Sequence, residues 1–140
     1  MEIQSFNYSV ADGSFPQKIG ALVEHMRKLP QTDCPVKHHF SPGLYLREIF
    51  MPAGTVVIGR VHKTEHFNIL MQGSCAIVHE DFTREVLKAP MVFVSKAGVQ
   101  KALVILEDMV WATTHVSEET NLEKLEALLV DPKPQLERQS

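Results

Sequence analysis

The apolar residues of this chain fall in three successive patterns. Ser14-Phe15-Pro16-Gln17 reads as a helix start: Ser14 can cap the first turn, Gln17 sits three residues on, and proline is tolerated in a first turn. Ile19, Leu22, Val23, Met26 and Leu29 follow at helical spacing until Pro30, so a helix is expected over about 15–29. From Pro35 the runs become short or alternating, each closed by turn residues. Eight strands are expected: Leu44–Met51, Thr55–His62, His66–Gln72, Ser74–His79, Thr83–Leu87, Met91–Ser95, Lys101–Glu107 and Val110–His115. Even, close spacing without intervening helices points to an antiparallel sandwich or barrel rather than a parallel sheet. After His115 the helical pattern returns. Thr120-Asn121-Leu122-Glu123 has capping-box spacing, Leu122, Leu125, Leu128 and Leu129 form an apolar face, and Asp131-Pro132 ends it. This gives a second helix over about 119–130 and a frayed polar tail over 131–140, while residues 1–13 hold no clear period.

The length of 140 residues fits one domain, and 44% hydrophobic residues suffice for a core. The net charge of -3 offers no general field for a phosphate backbone, so nucleic acid is not an expected partner. No apolar run approaches the roughly 20 residues of a membrane span. The N-terminus has neither the basic start nor the apolar stretch of a signal peptide. Two cysteines, Cys34 and Cys75, make no disulfide framework; reduced thiols in a cytoplasmic protein are the simpler expectation. Neither helix is apolar all round, so each should lie outside the β unit or at an oligomer contact, and a homodimer is expected.

Candidate chemistry concentrates in Gly59-Arg60-Val61-His62-Lys63-Thr64-Glu65-His66. His62 to His66 spells H-x-x-E-H, a zinc-protease spacing that requires a helix. The flanking β-prone runs Val56-Val57-Ile58 and Phe67-Asn68-Ile69-Leu70 exclude that reading. On a straight strand, residues four apart lie about 13 Å apart, too far to share a metal. If the chain bends at Lys63-Thr64, the two imidazoles converge at a barrel mouth. His115 could supply a third, since Trp111, Thr113 and His115 share one face of the last strand. His38-His39 beside Lys37 reads as a solvated loop, and Cys75 as a small buried residue.

Pro52-Ala53-Gly54-Thr55, His62 and His66-Phe67-Asn68-Ile69-Leu70-Met71-Gln72-Gly73 resemble the first motif of the cupin superfamily. Ala89-Pro90 through Gly98-Val99-Gln100-Lys101 is similar to the second. The resemblance covers about residues 44–115. It implies an all-β cupin-type jelly-roll barrel or sandwich, here flanked by an N-terminal and a C-terminal helix. Counting back from Gly73, the family's acidic ligand falls on His66, its second histidine on His62 and its first on Arg60. The second motif's histidine falls on Lys101. Two pictures follow. In one, His62, His66 and His115 hold a divalent metal (Zn, Fe, Ni or Mn), as in an oxygenase- or isomerase-type enzyme. In the other, a metal-free pocket with Arg60, His62, His66, Lys101, Gln100 and Trp111 takes an anionic metabolite such as a nucleotide or sugar phosphate. A third possibility is a structural subunit of an assembly, with a filled barrel and no ligand.

Overall fold

The computed structural model describes residues 14–131, so the readings made for residues 1–13 and 132–140 lie outside the described residues. Helix α1 spans Phe15–Met26. Its start is the reciprocal cap expected from the sequence: Gln17 N–H donates to the Ser14 hydroxyl, and Ser14 N–H donates to the Gln17 side chain at 3.0 Å. It stops a turn before Leu29. The residue ahead of Pro30 is driven out of helical geometry, and the Gln31 amide caps the Met26 and Leu29 carbonyls.

Seven strands follow: β1 Val36–Ser41, β2 Leu44–Met51, β3 Val56–Ile58, β4 His66–Val78, β5 Arg84–Lys88, β6 Met91–Ser95 and β7 Ala102–Val116. All pair antiparallel in the order β1-β2-β7-β4-β5, with β3 on β7 and β6 on β4. The long strands β4 and β7 each serve two layers. Their first and last halves respectively (His66 to Leu70, Trp111 to Val116) pair with β6 and β2. Their other halves pair with β5 and β3. Register shifts between Leu70 and Cys75 turn the corner between the layers.

That corner explains why the sequence reads as eight strands. Gly73, taken as a turn, lies inside β4 with φ +88°. A side chain there would meet the Asp108 carbonyl oxygen at 2.2 Å, so only glycine lets β4 and β7 bend this close together. Glu107-Asp108 is likewise a bend within β7. Conversely, β1 was not expected. His38 and His39, read as loop, belong to this exposed edge strand, which lacks the alternation that a buried face imposes. Its hairpin to β2 turns on Pro42-Gly43, with Gly43 at φ +78°.

Between the layers lies the main core, with Ile49, Met51, Leu70, Cys75, Ile77, Leu103, Ile105, Met109 and Trp111. Phe15, Ile19, Leu22, Val23 and Met26 of α1 cover the outer side of the β3/β5 layer, packing on Ile58, Ala76, Val78, Ala102 and Val104. Both thiols are free and buried, and burial pushes that of Cys75 up to about 12, which suits the packing role read for it. Among the described residues no helix is long and apolar enough to cross a membrane.

Helix α2, Leu122–Leu129, is shorter than expected. Asn121 rather than Thr120 caps it, accepting from Lys124 N–H at 3.1 Å, because the Glu119 carboxylate has already taken the N–H groups of Thr120 and Asn121. Of the expected apolar face, Leu125 and Leu129 are buried on Tyr45, while Leu122 and Leu128 stay exposed. Asp131, expected in the tail, donates its N–H to the Val61 carbonyl at 2.8 Å.

Candidate functional site

Three imidazoles meet at the mouth of the barrel. His62 follows β3, His66 opens β4 and His115 lies near the end of β7. The chain between the first two is irregular, so the straight-strand separation does not apply. Ring centroids are 4.4 Å apart for His62–His66, 5.0 Å for His62–His115 and 4.9 Å for His66–His115. Alternation along β7 points Trp111, Thr113 and His115 inward together, and all three are buried.

Burial disfavours the charged form of each ring. It lowers His62 from 6.5 to about 3 and His115 to about 4, aided by the neighbouring histidines and Arg47. His66 is also lowered by burial; its bond to the Thr64 carbonyl works the other way, and Lys101 lowers it further. All three are therefore neutral near pH 7. The Thr64 carbonyl can only accept, so His66 donates its Nδ1–H at 3.1 Å and keeps Nε2 as its lone pair. His115 Nε2 lies 3.0 Å from the Thr113 hydroxyl, and its buried Nδ1 has no hydrogen-bond partner among the described residues.

Neutral imidazoles, one of them held by a backbone carbonyl as His66 is by Thr64, are the donors that a divalent transition metal takes. The arrangement falls short of a formed metal centre, however. His62 and His115 stack at 20°, and among the described residues no three His, Cys, Asp or Glu side chains are set to hold an ion together. The rings are close; their nitrogens do not yet share one point.

Behind the histidines a cavity of about 90 Å³ runs into the barrel. Its apolar walls are Ile49, Met51, Val57, Leu103 and Trp111. Its polar lining includes a connected chain: Trp111 Nε1–H donates to Asn68 Oδ1 at 2.9 Å, Asn68 Nδ2 donates to Ser95 Oγ at 2.7 Å, and the Lys101 ammonium also reaches Ser95. Lys101 lies 5.0 Å from the Phe93 ring centroid, and burial pulls its pKa below the usual 10.5. Arg47 and Arg60 line the outer part.

A second cavity, about 210 Å³, lies between the mouth and α2 and shares Arg47, Arg60 and His62 with the first. Helix α2 is fastened over it. Arg60 pairs with Glu126, Lys63 Nζ donates to the Ala127 carbonyl at 2.9 Å, Lys63 N–H donates to the Leu129 carbonyl at 2.7 Å, and His62 bridges to Val130. His38, whose Nδ1 lies 2.7 Å from the Tyr45 hydroxyl, lines this chamber.

Of the residues singled out from sequence, Arg60, His62, His66, Lys101 and Trp111 line the inner cavity and His115 the chamber. Gln100 lines neither of these two cavities; its side chain donates to the Gly59 carbonyl at 3.2 Å. Tyr45, Arg47, Asn68 and Ser95 were missed. Alternation from His66 and from Ile49 would have placed Asn68, Arg47 and Tyr45 on the inner face. Ser95 needed the pairing of β6 with β4, which sets it opposite His66.

No protein-family model matches the chain, and no curated protein matches it. Solved structures do. Ectoine synthase from P. lautus aligns with a TM-score of 0.59 at 12% identity, over 79% of this chain and 80% of its own. A cupin-2 domain protein from Shewanella frigidimarina aligns at 0.50 and 15% identity, over 67% and 91%. The Schizosaccharomyces pombe Cnp3 cupin domain aligns at 0.50 and 18%, over 73% and 77%. The chain has the fold of the cupin superfamily, a jelly roll flanked by two helices. At these identities the likeness speaks to the fold, and the chemistry has to be read from the site itself.

Proposed function

We propose that this cupin-fold chain binds a compact anionic metabolite inside its barrel, with the histidine cluster forming the mouth of the pocket. The observation that carries this reading is the lining of the inner cavity: Arg47, Arg60 and Lys101 contribute to it, and among the described residues no carboxylate does. Arg60 is paired with Glu126 from the chamber side, and Lys101 and Arg47 add positive charge against a low-dielectric wall, where a negative guest is favoured far more than it would be in water. Ser95 and Asn68 offer hydrogen bonds beside Lys101, and the aliphatic walls suit a small carbon skeleton. The neutral imidazoles add donors and acceptors without further charge. Thermal unfolding against inorganic phosphate, sugar phosphates, nucleotides and small carboxylates tests this. Saturable protection by such an anion, lost in Lys101→Met, supports it. Absence of protection by every anion contradicts it.

A second reading is favoured by the unpartnered Nδ1 of His115 and the ring spacings around it. Here His62, His66 and His115 hold a divalent metal. When bound, it would supply Lewis-acid or redox chemistry to a ligand in the same cavity, as in an oxygenase- or isomerase-type enzyme. The chain's residues would then orient that ligand: Lys101 and Arg60 on its anionic group, Trp111 on its flank. Elemental analysis separates the readings. Stoichiometric metal that disappears in His62→Ala supports the second, whereas metal-free protein protected by an anion supports the first.

A further inference from the structure

The inner cavity is too small for a whole metabolite. At about 90 Å³ it falls well below the roughly 300 Å³ at which small-molecule pockets begin, and it has room for little more than an anionic group beside Lys101, Ser95 and Asn68. The chamber under α2 adds about 210 Å³. The two share Arg47, Arg60 and His62, so a guest seated in one reaches into the other.

The chamber has two walls of different chemistry. One is a run of rings. His38 lies at 16° to Tyr45, Tyr45 at 26° to His115 and His115 at 20° to His62, with successive centroids 5.9, 5.9 and 5.0 Å apart. His38 Nδ1 and the Tyr45 hydroxyl already bond each other at 2.7 Å. The other wall is aliphatic: Leu122, Leu125 and Leu129 of α2, with Val130 after them. The charged lining is Arg47, Arg60 and Glu126, and a carboxylate is what the inner cavity lacks among the described residues.

We propose that the chamber is a binding site for a flat aromatic ring attached to the anion held in the inner cavity. This rests on the anion-binding reading above and adds the class of guest to it: a phosphate monoester or carboxylate that carries one aromatic ring. Charge sets which way the guest lies. Glu126 lines the chamber and repels an anion there, so the anionic end goes inward towards Lys101 and the uncharged ring stays outside. Polarity sets what the outer part is. A planar ring makes favourable contacts with the imidazoles and the phenol on one side and with the leucines on the other. A sugar in the same place would set its hydroxyls against leucines that cannot bond them. Helix α2 completes the site, and the Arg60–Glu126 pair and the bonds from Lys63 to Ala127 and Leu129 hold its wall in place.

Calorimetric titration of the full chain with two matched pairs tests this: inorganic phosphate against phenyl phosphate, and acetate against phenylacetate. Burying a phenyl group improves affinity at least about tenfold, so in at least one pair the ring-bearing anion should bind at least about tenfold more tightly. Benzyl alcohol, a ring without the anion, should give no heat beyond dilution. Leu122 is 45% exposed, so Leu122→Gln should keep the circular dichroism of wild type, and in it the advantage of the ring should fall at least about threefold. In Lys101→Met both members of a pair should weaken together. Phosphate or acetate binding as tightly as its aryl partner overturns the proposal and leaves the anion-binding reading standing. Binding by none of the four also overturns it, and the wider anion screen then decides that reading separately. A ring advantage undiminished in folded Leu122→Gln, or benzyl alcohol binding as tightly as phenyl phosphate, overturns it too. The matched pairs are read on the unaltered chain, so the test stands even where a variant misfolds.

Discussion

Lowering the pH from 7.5 to 5 should destabilise the protein through the histidines at its barrel mouth. In the unfolded chain each imidazole takes a proton below about pH 6.5. In the folded chain burial holds His62 at about 3 and His115 at about 4. The unfolded state therefore binds more protons throughout the interval between these values and 6.5. The stability contributed by the neutral rings is fully present above 6.5 and falls as the pH drops through that window, by up to about 1.4 kcal/mol per unit for each ring. From 6.5 to 5 the two rings together give up to about 4 kcal/mol, and residual water access at the mouth brings the expected loss to about 2–4 kcal/mol. His66, lowered in the same direction, adds to it. Against a typical total of about 5–15 kcal/mol this is a large fraction. Urea unfolding at constant ionic strength, followed by the single tryptophan, Trp111, measures it directly. The double variant His62→Gln/His115→Gln should show a much flatter pH dependence. A wild-type stability unchanged between pH 7.5 and 5, or an equal loss in the double variant, would refute the reasoning.

Three further outcomes are expected. Gly73→Ala should cost at least about 2–4 kcal/mol in urea unfolding, from a positive φ and a Cβ placed 2.2 Å from the Asp108 carbonyl; wild-type stability would show that the β4/β7 corner is looser than described. Asn68→Ala strips the buried Trp111 N–H and the Ser95 hydroxyl of their shared partner. It should cost about 1–3 kcal/mol and shift Trp111 emission, and an unshifted spectrum would argue against that network. Glu126→Gln removes the carboxylate paired with Arg60 on the exposed side of the chamber. It should alter stability by less than about 1 kcal/mol and raise the affinity for a small anion several-fold, whereas weaker anion binding would place Arg60 outside the ligand's reach.

The strands bounded by clear turn residues were legible from their short apolar or alternating runs. Leu44–Met51 and Met91–Ser95 match β2 and β6 end to end. The failures have physical causes. An edge strand such as β1 has no buried face to impose a period, so Val36–Ser41 looked like loop. Gly73 signals a break in a one-dimensional reading, but in space it lets two continuous strands bend against each other. The site was partly legible because His62 and His66 fall four residues apart within the stretch that resembles a family motif, and His115 shares a strand face with Trp111 and Thr113. Its remaining polar members, Arg47, Asn68 and Ser95, sit on ordinary strands, and only the pairing of those strands gathers them around Lys101. The role of α2 was hidden for a similar reason. Nothing in Leu122–Leu129 announces that Glu126 lies opposite Arg60, 66 residues earlier.

The most direct test of the central claim is calorimetric titration of the full chain with the small anion that gives the greatest thermal protection. The account predicts one anion per chain, at least about tenfold weaker binding in Lys101→Met, and no change in Lys88→Met on the exposed strand β5. Binding that is indifferent to Lys101, or heats no larger than dilution for every anion tried, would contradict it.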